Sequence, residues 1–239
     1  MGNLEPFESG QTTEVIDLED PSFSCTNAKK FPIGGDRASG ALLDNELMIC
    51  GGWHSKVFDG ITLENSCYVM QYEDDPLWIK DQSAILNNGR FRSGSVVLNN
   101  QLVMAGGEGL KSEGTTEFLT TIELVSPEAG SRTLTSKLPM ALSSACIVPW
   151  DANSVMVIGG LAMIKGQFER RRETYIIDIF NDEIKNGPSM VFPRQDHACQ
   201  EIVVKGEVYI VVVGGNSGLG PTTEYLVKSN LDRGWSKGK

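Results

Sequence analysis

The sequence predicts an all-β fold made of about four copies of one strand-rich unit. A pair of adjacent glycines follows an apolar strand four times, and the pairs recur about every 55 residues. A repeat of this length that is built from strands is typical of the blades of a β-propeller. The four pairs are Gly51-Gly52, Gly106-Gly107, Gly159-Gly160 and Gly214-Gly215.

The first two strands of each unit precede the glycine pair. Residues 37–52, RASGALLDNELMICGG, align without gaps on residues 92–107, RSGSVVLNNQLVMAGG. Each segment contains an apolar strand, a two-residue Asp/Asn turn and a second apolar strand. Asp and Asn tolerate the positive φ angles of tight hairpins, so these segments predict β-hairpins. Residues 143–160 and 197–215 repeat the plan with longer connections, and the last of them turns at Lys205-Gly206.

A third strand follows each glycine pair after a polar loop of variable length. These strands are CYVMQY from Cys67, TIELV from Thr121, TYIIDIF from Thr174 and EYLV from Glu224, and their β-branched and aromatic residues favour strands. A tyrosine of the third strand precedes a tryptophan by the same interval in the first and last units, which predicts a tryptophan at a fixed point of the fourth strand. The two pairs are Tyr68 with Trp78 and Tyr225 with Trp235.

Four strands per unit, a double glycine after the second, a Tyr on the third and a Trp on the fourth resemble the kelch repeat. The resemblance extends from about Thr12 to Trp235 and implies a kelch-type β-propeller of four-stranded antiparallel blades. We expect one propeller domain over residues 1–239. It would contain an N-terminal half-blade and four units, at residues 1–33, 34–86, 87–138, 139–191 and 192–239, with little sequence left for a fourth strand in the last unit.

Closure of the predicted ring is unusual. TTEVIDL, at the start of residues 12–31, echoes TTEYLVK from Thr222, so both ends of the chain offer a third strand. A propeller closes by completing one blade from its two ends, and no blade needs two third strands. This favours a piece of a larger six-bladed protein, with an imperfectly closed ring of five units as the alternative.

Charge and hydropathy exclude several functions. The formal net charge is −10, with acidic residues spread along the chain, which argues against nucleic acid or an anionic membrane as partner. Residues 1–10 lack the basic and apolar regions of a signal peptide. The longest apolar run, Val208 to Val213, is far shorter than the roughly 20 residues of a membrane span, so we expect no membrane insertion.

The five cysteines leave the compartment open. They form no C-x-x-C motif. Cys146 and Cys199 lie in small or apolar stretches and are predicted to be buried thiols. Cys50 and Cys67 flank a glycine pair and could face each other on neighbouring strands, and a disulfide there, or a rival pairing with Cys25, would indicate an oxidising compartment. A cytoplasmic protein is expected, and an extracellular one is the alternative if the cysteines pair.

No catalytic or cofactor-binding motif stands out, so we expect no enzyme activity, metal or cofactor. Galactose oxidase shares the kelch repeat, but the two tyrosines, two histidines and crosslinked cysteine that this family needs around copper are not evident. His54 is a weak candidate ligand, and His197, at the start of a first strand, is more typical of a core or rim position. Residues 214–220, GGNSGLG, precede no helix and therefore lack a phosphate-binding mechanism.

Arginines precede the first strand of several units. In kelch substrate adaptors an arginine at the matching position can face the channel mouth and bind acidic peptides. Such a residue can equally bond loop carbonyls or a neighbouring carboxylate, and the third unit has Met140 and Ala141 instead. The candidate rim residues are Arg37, Arg90, Arg92 and Arg194.

The loops after the glycine pairs vary most, and variable loops on a rigid scaffold commonly carry recognition. They begin at Trp53 and His54 in the first unit, and the third contains Arg170-Arg171-Arg172. We therefore expect a protein-interaction scaffold that binds a protein partner or acidic peptide through rim and loops. The resemblance allows the substrate-binding part of a ubiquitin-ligase adaptor or an actin-binding protein. The alternative is a secreted or cell-surface propeller, galactose-oxidase-like or carbohydrate-binding.

Overall fold

The computed structural model describes most of the chain and contains four four-stranded antiparallel sheets in series. The described residues are 11–16, 18–19, 22, 25–33, 35–56, 60–71, 77–111, 114–127, 129–218 and 222–238. The first sheet contains β3 (Ser39–Leu43), β4 (Glu46–Cys50), β7 (Ser66–Gln71) and β8 (Leu77–Ile85). The second contains β9 (Gly94–Leu98), β10 (Gln101–Ala105), β13 (Ile122–Ser126) and β14 (Gly130–Thr133).

The third and fourth sheets repeat this order of strands. The third contains β15 (Cys146–Pro149), β16 (Ser154–Ile164), β17 (Gln167–Asp178) and β18 (Glu183–Gly187). The fourth contains β19 (Ala198–Val204), β20 (Glu207–Val213), β21 (Thr223–Val227) and the two-residue β22 (Ser236–Lys237), with a 3₁₀ helix (Leu231–Arg233) before β22. The predicted all-β class and the four-stranded plan of each unit are confirmed, although the fourth strand of the last unit is short.

Three two-stranded sheets complete the secondary structure of the described residues. β1 (Thr13–Ile16) pairs with β2 (Cys25–Ala28) near the N-terminus. β5 (Trp53–Lys56) pairs with β6 (Gly60–Leu63), and β11 (Glu108–Leu110) pairs with β12 (Thr116–Phe118). The last two are hairpins inserted between the second and third strands of their units. No helix among the described residues is long and apolar enough to cross a membrane.

Consecutive sheets pack face to face through their apolar side chains. The first strands of neighbouring sheets are in contact: β3 with β9, β9 with β15, and β15 with β19. In β10, Leu102 and Met104 belong to the cluster shared with the first sheet, while Val103 and Ala105 belong to the cluster shared with the third. Successive strand residues point to opposite faces, so one apolar strand supplies two cores.

The glycine pairs connect each sheet to the next. The Gly52 N–H donates to the Arg90 carbonyl at 2.8 Å, and the Gly107 and Gly160 N–H groups donate to the equivalent carbonyls of Leu142 and Arg194 at 2.8 and 2.9 Å. All eight glycines have a positive φ, a conformation that costs other L-residues about 1–2 kcal/mol. The glycines thus permit both the turn and the close approach of the next sheet.

Replacement of Gly51 by alanine is expected to destabilise the protein much more than Gly214→Ala. Both glycines have nearly the same φ, 70° and 67°, so the conformational cost is matched. A Cβ at Gly51 would lie 2.5 Å from the Arg90 carbonyl oxygen, whereas a Cβ at Gly214 would meet no atom within 4 Å. We expect an additional loss of about 1–3 kcal/mol for Gly51→Ala, measured by urea denaturation. Equal losses would show that sheet packing does not select glycine here.

Two disulfides join cysteines that the fold brings together. Cys50 and Cys67 are directly opposite on β4 and β7, and their sulfurs are bonded. Cys146 on β15 is bonded to Cys199 on β19 and therefore links the third sheet to the fourth. The prediction that Cys146 and Cys199 are buried thiols is wrong, because the first strands of successive sheets are neighbours although they are far apart in sequence.

The two tryptophans occupy equivalent places, but the two tyrosines do not. Trp78 is buried opposite Met70 on β7, and Trp235 lies buried just before β22. Tyr68 lies opposite Ile49, two residues before its glycine pair, whereas Tyr225 lies opposite Val211, three residues before its pair. Tyr68 is buried and Tyr225 is half-buried on the other face of its sheet. The connection between the third and fourth strands is one residue longer in the last unit than in the first. The interval from tyrosine to tryptophan is therefore the same in both units, although the two tyrosines occupy different positions on their strands.

Candidate functional site

Three β-hairpins follow the first three glycine pairs and form the side of the protein that we call the hairpin face. They are β5–β6, β11–β12 and the end of β16–β17. This third hairpin runs from Leu161 to Arg170, and these two residues pair with each other. Each begins with a bridge to the segment that precedes the first strand of its own sheet. The bridges are Asp36 with Trp53, Phe91 with Glu108 and Ser143 with Leu161, and a fourth joins Gln195 with Asn216.

A chain of backbone hydrogen bonds crosses the hairpin face from sheet to sheet. The Arg92 N–H donates to the Arg37 carbonyl at 3.2 Å, the Ser144 N–H to the Arg92 carbonyl at 2.9 Å, and the Asp196 N–H to the Ser144 carbonyl at 3.1 Å. All four residues have a positive φ between 52° and 56°. They are therefore structurally equivalent, and the rim position contains two arginines, a serine and an aspartate.

Arg90 and Arg194 are not rim residues, which corrects their assignment as partner-binding residues. Both side chains are fully buried, each in an ion pair, with Glu123 and Glu224 respectively. The Arg194 guanidinium also donates to the Gly214 and Thr222 carbonyls and to Thr222 Oγ1, and Arg90 makes the same bonds to Gly106 and Thr121. Burial lowers the pKa of Arg90, against the opposing effect of Glu123. These arginines stabilise the interior and offer no donor to a partner.

The two remaining rim arginines are already paired with carboxylates. Arg37 lies 3.4 Å from Asp36, and Arg92 lies 2.9 Å from Glu108. Asp196 adds a third carboxylate: burial raises its pKa, but hydrogen bonds from Gln195 and Ser144 and the charges of Arg92 and Arg37 outweigh this and lower it. Arg37 and Arg92 therefore take the second alternative that the sequence left open, in which a rim arginine pairs with a neighbouring carboxylate.

Trp53 lies at the rim beside Phe91. Its indole Nε1–H donates to Asp36 Oδ2 at 3.3 Å, and its ring centroid is 6.3 Å from that of Phe91. Arg92 Cζ lies 5.7 Å from the Phe91 ring centroid, within the range of a cation–π interaction. The Phe91 ring therefore helps to position Arg92, and Trp53 packs near that ring. His54 lies opposite Thr62 in the β5–β6 hairpin, beside this cluster along the chain.

His197 is a buried residue that directly precedes the first strand of the fourth sheet. It is buried, and burial, followed by the charge of Arg194, lowers its pKa to about 4. It is therefore neutral near pH 7. No group of three His, Cys, Asp or Glu side chains suited to a metal ion occurs among the described residues.

A groove lies on the hairpin face between the β11–β12 and β16–β17 hairpins and is here called the aromatic groove. Its volume is about 500 Å³. Phe168 and Met163 are 65% and 52% exposed, and the Phe118 ring centroid lies 5.9 Å from that of Phe168. The lining residues are Arg92, Glu108, Lys111, Thr116, Glu117, Phe118, Ala141, Leu161, Met163, Gly166 and Phe168.

A second cleft of about 480 Å³ lies between the β5–β6 and β11–β12 hairpins and is more polar. Asn65, Asn87 and Asn88 contribute to its wall together with Glu117. The Asn87 side chain is already engaged, because its amide donates to Thr133 Oγ1 at 2.7 Å. The two clefts share the β11–β12 hairpin as a common wall.

The sequence predicted a variable loop after Gly159-Gly160 that contains Arg170-Arg171-Arg172, but it did not predict the aromatic groove. The structure shows that this segment continues β16 and β17 around a turn at Lys165 and Gly166. The apolar residues on both sides of Lys165-Gly166 were the available signal for a hairpin. Its contact with Phe118 could not be found, because that contact joins different units.

Comparison with known proteins supports only the fold. No protein-family model matches the chain, and no curated protein matches it. Among solved structures 173 chains match. One is the structure of YjhT, with a TM-score of 0.65, 16% sequence identity, and coverage of 87% of this chain and 66% of that chain. The chain thus corresponds to slightly less than two thirds of the length of YjhT. At this identity the similarity concerns the fold alone.

Proposed function

We propose that the chain is a kelch-type β-propeller module that acts as a protein-interaction scaffold and binds a partner polypeptide in the aromatic groove. Sheets that repeat in series, each joined to the next by a glycine pair, support the propeller. The observation that carries the binding proposal is the exposure of Phe168 and Met163 on one hairpin. Grouped apolar side chains of this size on a surface are typical of interaction sites.

The shape and chemistry of the groove suit a polypeptide. Its walls are two hairpins, its apolar surface comes from Phe118, Met163 and Phe168, and polar or charged side chains border that surface. An apolar centre with a polar rim is the usual anatomy of a protein interface. An aromatic or aliphatic anchor from a partner would bury the exposed rings and gain the free energy of that burial.

Selection of peptides from a displayed random library tests the proposal. Peptides enriched on the wild-type protein are expected to bind the Met163→Ser/Phe168→Ser variant at least about tenfold more weakly, because truncating a central anchor site removes most of the apolar contact. Phe180→Ser is the matched control. Phe180 is 78% exposed but follows the opposite end of β17, so this variant should bind like the wild type. Equal loss in both variants, or none in either, contradicts the proposal.

The two disulfides favour an oxidising compartment as the place where this binding occurs, because structural disulfides persist mainly outside the cytosol. We therefore prefer an extracellular partner over the cytoplasmic adaptor or actin-binding role. Thiol titration of the unfolded, unreduced protein is expected to find one free thiol per chain, that of Cys25. Five free thiols would restore the cytoplasmic alternative.

A further inference from the structure

On the groove side of the β16–β17 hairpin, a cross-strand pair of apolar residues lies next to a cross-strand pair that contains an arginine. Met163 lies opposite Phe168 and Leu161 lies opposite Arg170 in the antiparallel register, so each pair projects from one face of the hairpin. Because Leu161, Met163 and Phe168 line the aromatic groove, Arg170 belongs to the groove side as well. Phe168 and Arg170 are two residues apart on one strand, about 6–7 Å along its axis.

The opposite side of the same hairpin differs in its charges. There Arg171 forms ion pairs with Glu169 at 2.9 Å and Glu173 at 2.7 Å. Arg170 is exposed, and it forms no ion pair with any residue that the structure describes. The two carboxylates of this strand segment, Glu169 and Glu173, thus pair with Arg171. The charge of Arg170 is therefore available on the groove side.

The other wall of the groove supplies a second available cation. Lys111 is exposed at the end of β11 and lines the groove. Of the two carboxylates in the lining, Glu108 is buried and accepts hydrogen bonds from Arg92 and from the Ser143 hydroxyl at 2.7 Å. Glu117 is therefore the one exposed carboxylate of the lining, compared with two exposed cations, Lys111 and Arg170. On a chain with net charge −10, this is a local positive site.

We propose that the aromatic groove selects an extended polypeptide in which an apolar anchor residue is separated by one residue from an Asp or Glu. The anchor would pack on Phe168, Met163 and Phe118, and the carboxylate would meet Arg170, with Lys111 across the groove. An extended ligand repeats its side chains every two residues, the same period as β17. This inference rests on the proposed function and specifies the ligand class of that site.

A defined peptide library tests the proposal. The probes are fluorescent nonapeptides with Phe fixed at the centre. The position two residues before this Phe and the position two residues after it are each varied through all amino acids. In low salt, Asp or Glu at one of these positions is expected to strengthen binding about threefold to fivefold over Gln, and high salt should remove the gain. Arg170→Gln should remove the acidic preference and keep the dependence on Phe. Lys205→Gln, in the β19–β20 turn, should change neither.

The outcomes distinguish this inference from the proposed function. Binding that depends on Phe168 but shows no acidic preference, or keeps that preference in both the Arg170→Gln and Lys111→Gln variants, overturns the ligand class and leaves the peptide-binding role intact. A library that does not bind, or binds equally to the Met163→Ser/Phe168→Ser variant, overturns both. Arg170 and Lys111 are exposed, so their replacement should leave the melting temperature unchanged.

Discussion

Replacement of Arg90 by alanine is expected to lower the free energy of unfolding by about 3–5 kcal/mol, because it leaves the buried carboxylate of Glu123 without its cation. Both side chains are fully inaccessible. Glu123 retains hydrogen bonds from the Asn87 and Asn88 N–H groups, at 2.8 and 3.2 Å, but these are neutral donors. Urea denaturation at neutral pH measures the loss.

The third sheet supplies the control for this prediction. Leu142 and Tyr175 occupy the places of Arg90 and Glu123, and both belong to one buried cluster. Pro139, which has no N–H, stands where the second sheet has Asn87. Arg90→Leu/Glu123→Tyr should therefore recover most of the lost stability, and the addition of Asn87→Pro should recover more. A double variant that is no more stable than Arg90→Ala would show that the ion pair has no apolar substitute.

Removal of the Cys146–Cys199 disulfide by double replacement with serine is expected to cost about 4 kcal/mol, against about 3 kcal/mol for the Cys50–Cys67 pair, on the loop-entropy model. The first bond spans 53 residues and joins two sheets, whereas the second spans 17 residues and joins adjacent strands. Thermal and urea unfolding without reductant measure both losses.

Cys25→Ser is the control for the disulfide variants, because Cys25 is the cysteine left over from the two pairs. It removes a thiol and leaves both disulfides intact, so its change in stability measures the effect of a cysteine-to-serine replacement alone. If reductant weakens the wild-type protein no more than it weakens Cys146→Ser/Cys199→Ser, the bond between the third and fourth sheets does not contribute the expected stability.

The sequence predicted the repeated strands well because their signal is local. Alternating apolar residues, Asp/Asn turns and glycine pairs each depend on the conformation of a few neighbouring residues. The positive φ angles of Asp44 and Asn45, 48° and 64°, agree with the predicted turn. The pairing of Cys146 with Cys199 depends instead on packing between units, and no local pattern reports it.

The site was predicted less well than the fold, for the same reason. Arg194 follows the spacing of Arg37 and Arg92 closely enough to be aligned with them, yet its true equivalent is Arg90, two residues from the rim. A shift of two residues moves a side chain from the rim into the interior. The aromatic groove depends on Phe118 and Phe168 from successive units, a proximity that only the packed sheets create.

The hydrogen bonds that the glycine pairs donate to the following sheet have a consequence for cooperativity. The N–H groups of Gly52, Gly107 and Gly160 each donate to the adjoining sheet, so the stability of the series approximates a sum of nearest-neighbour interfaces. The second and third sheets, which form the aromatic groove, each share an apolar core with the sheet on either side. Opening either of them therefore breaks two interfaces, which places the proposed binding surface on sheets that open rarely.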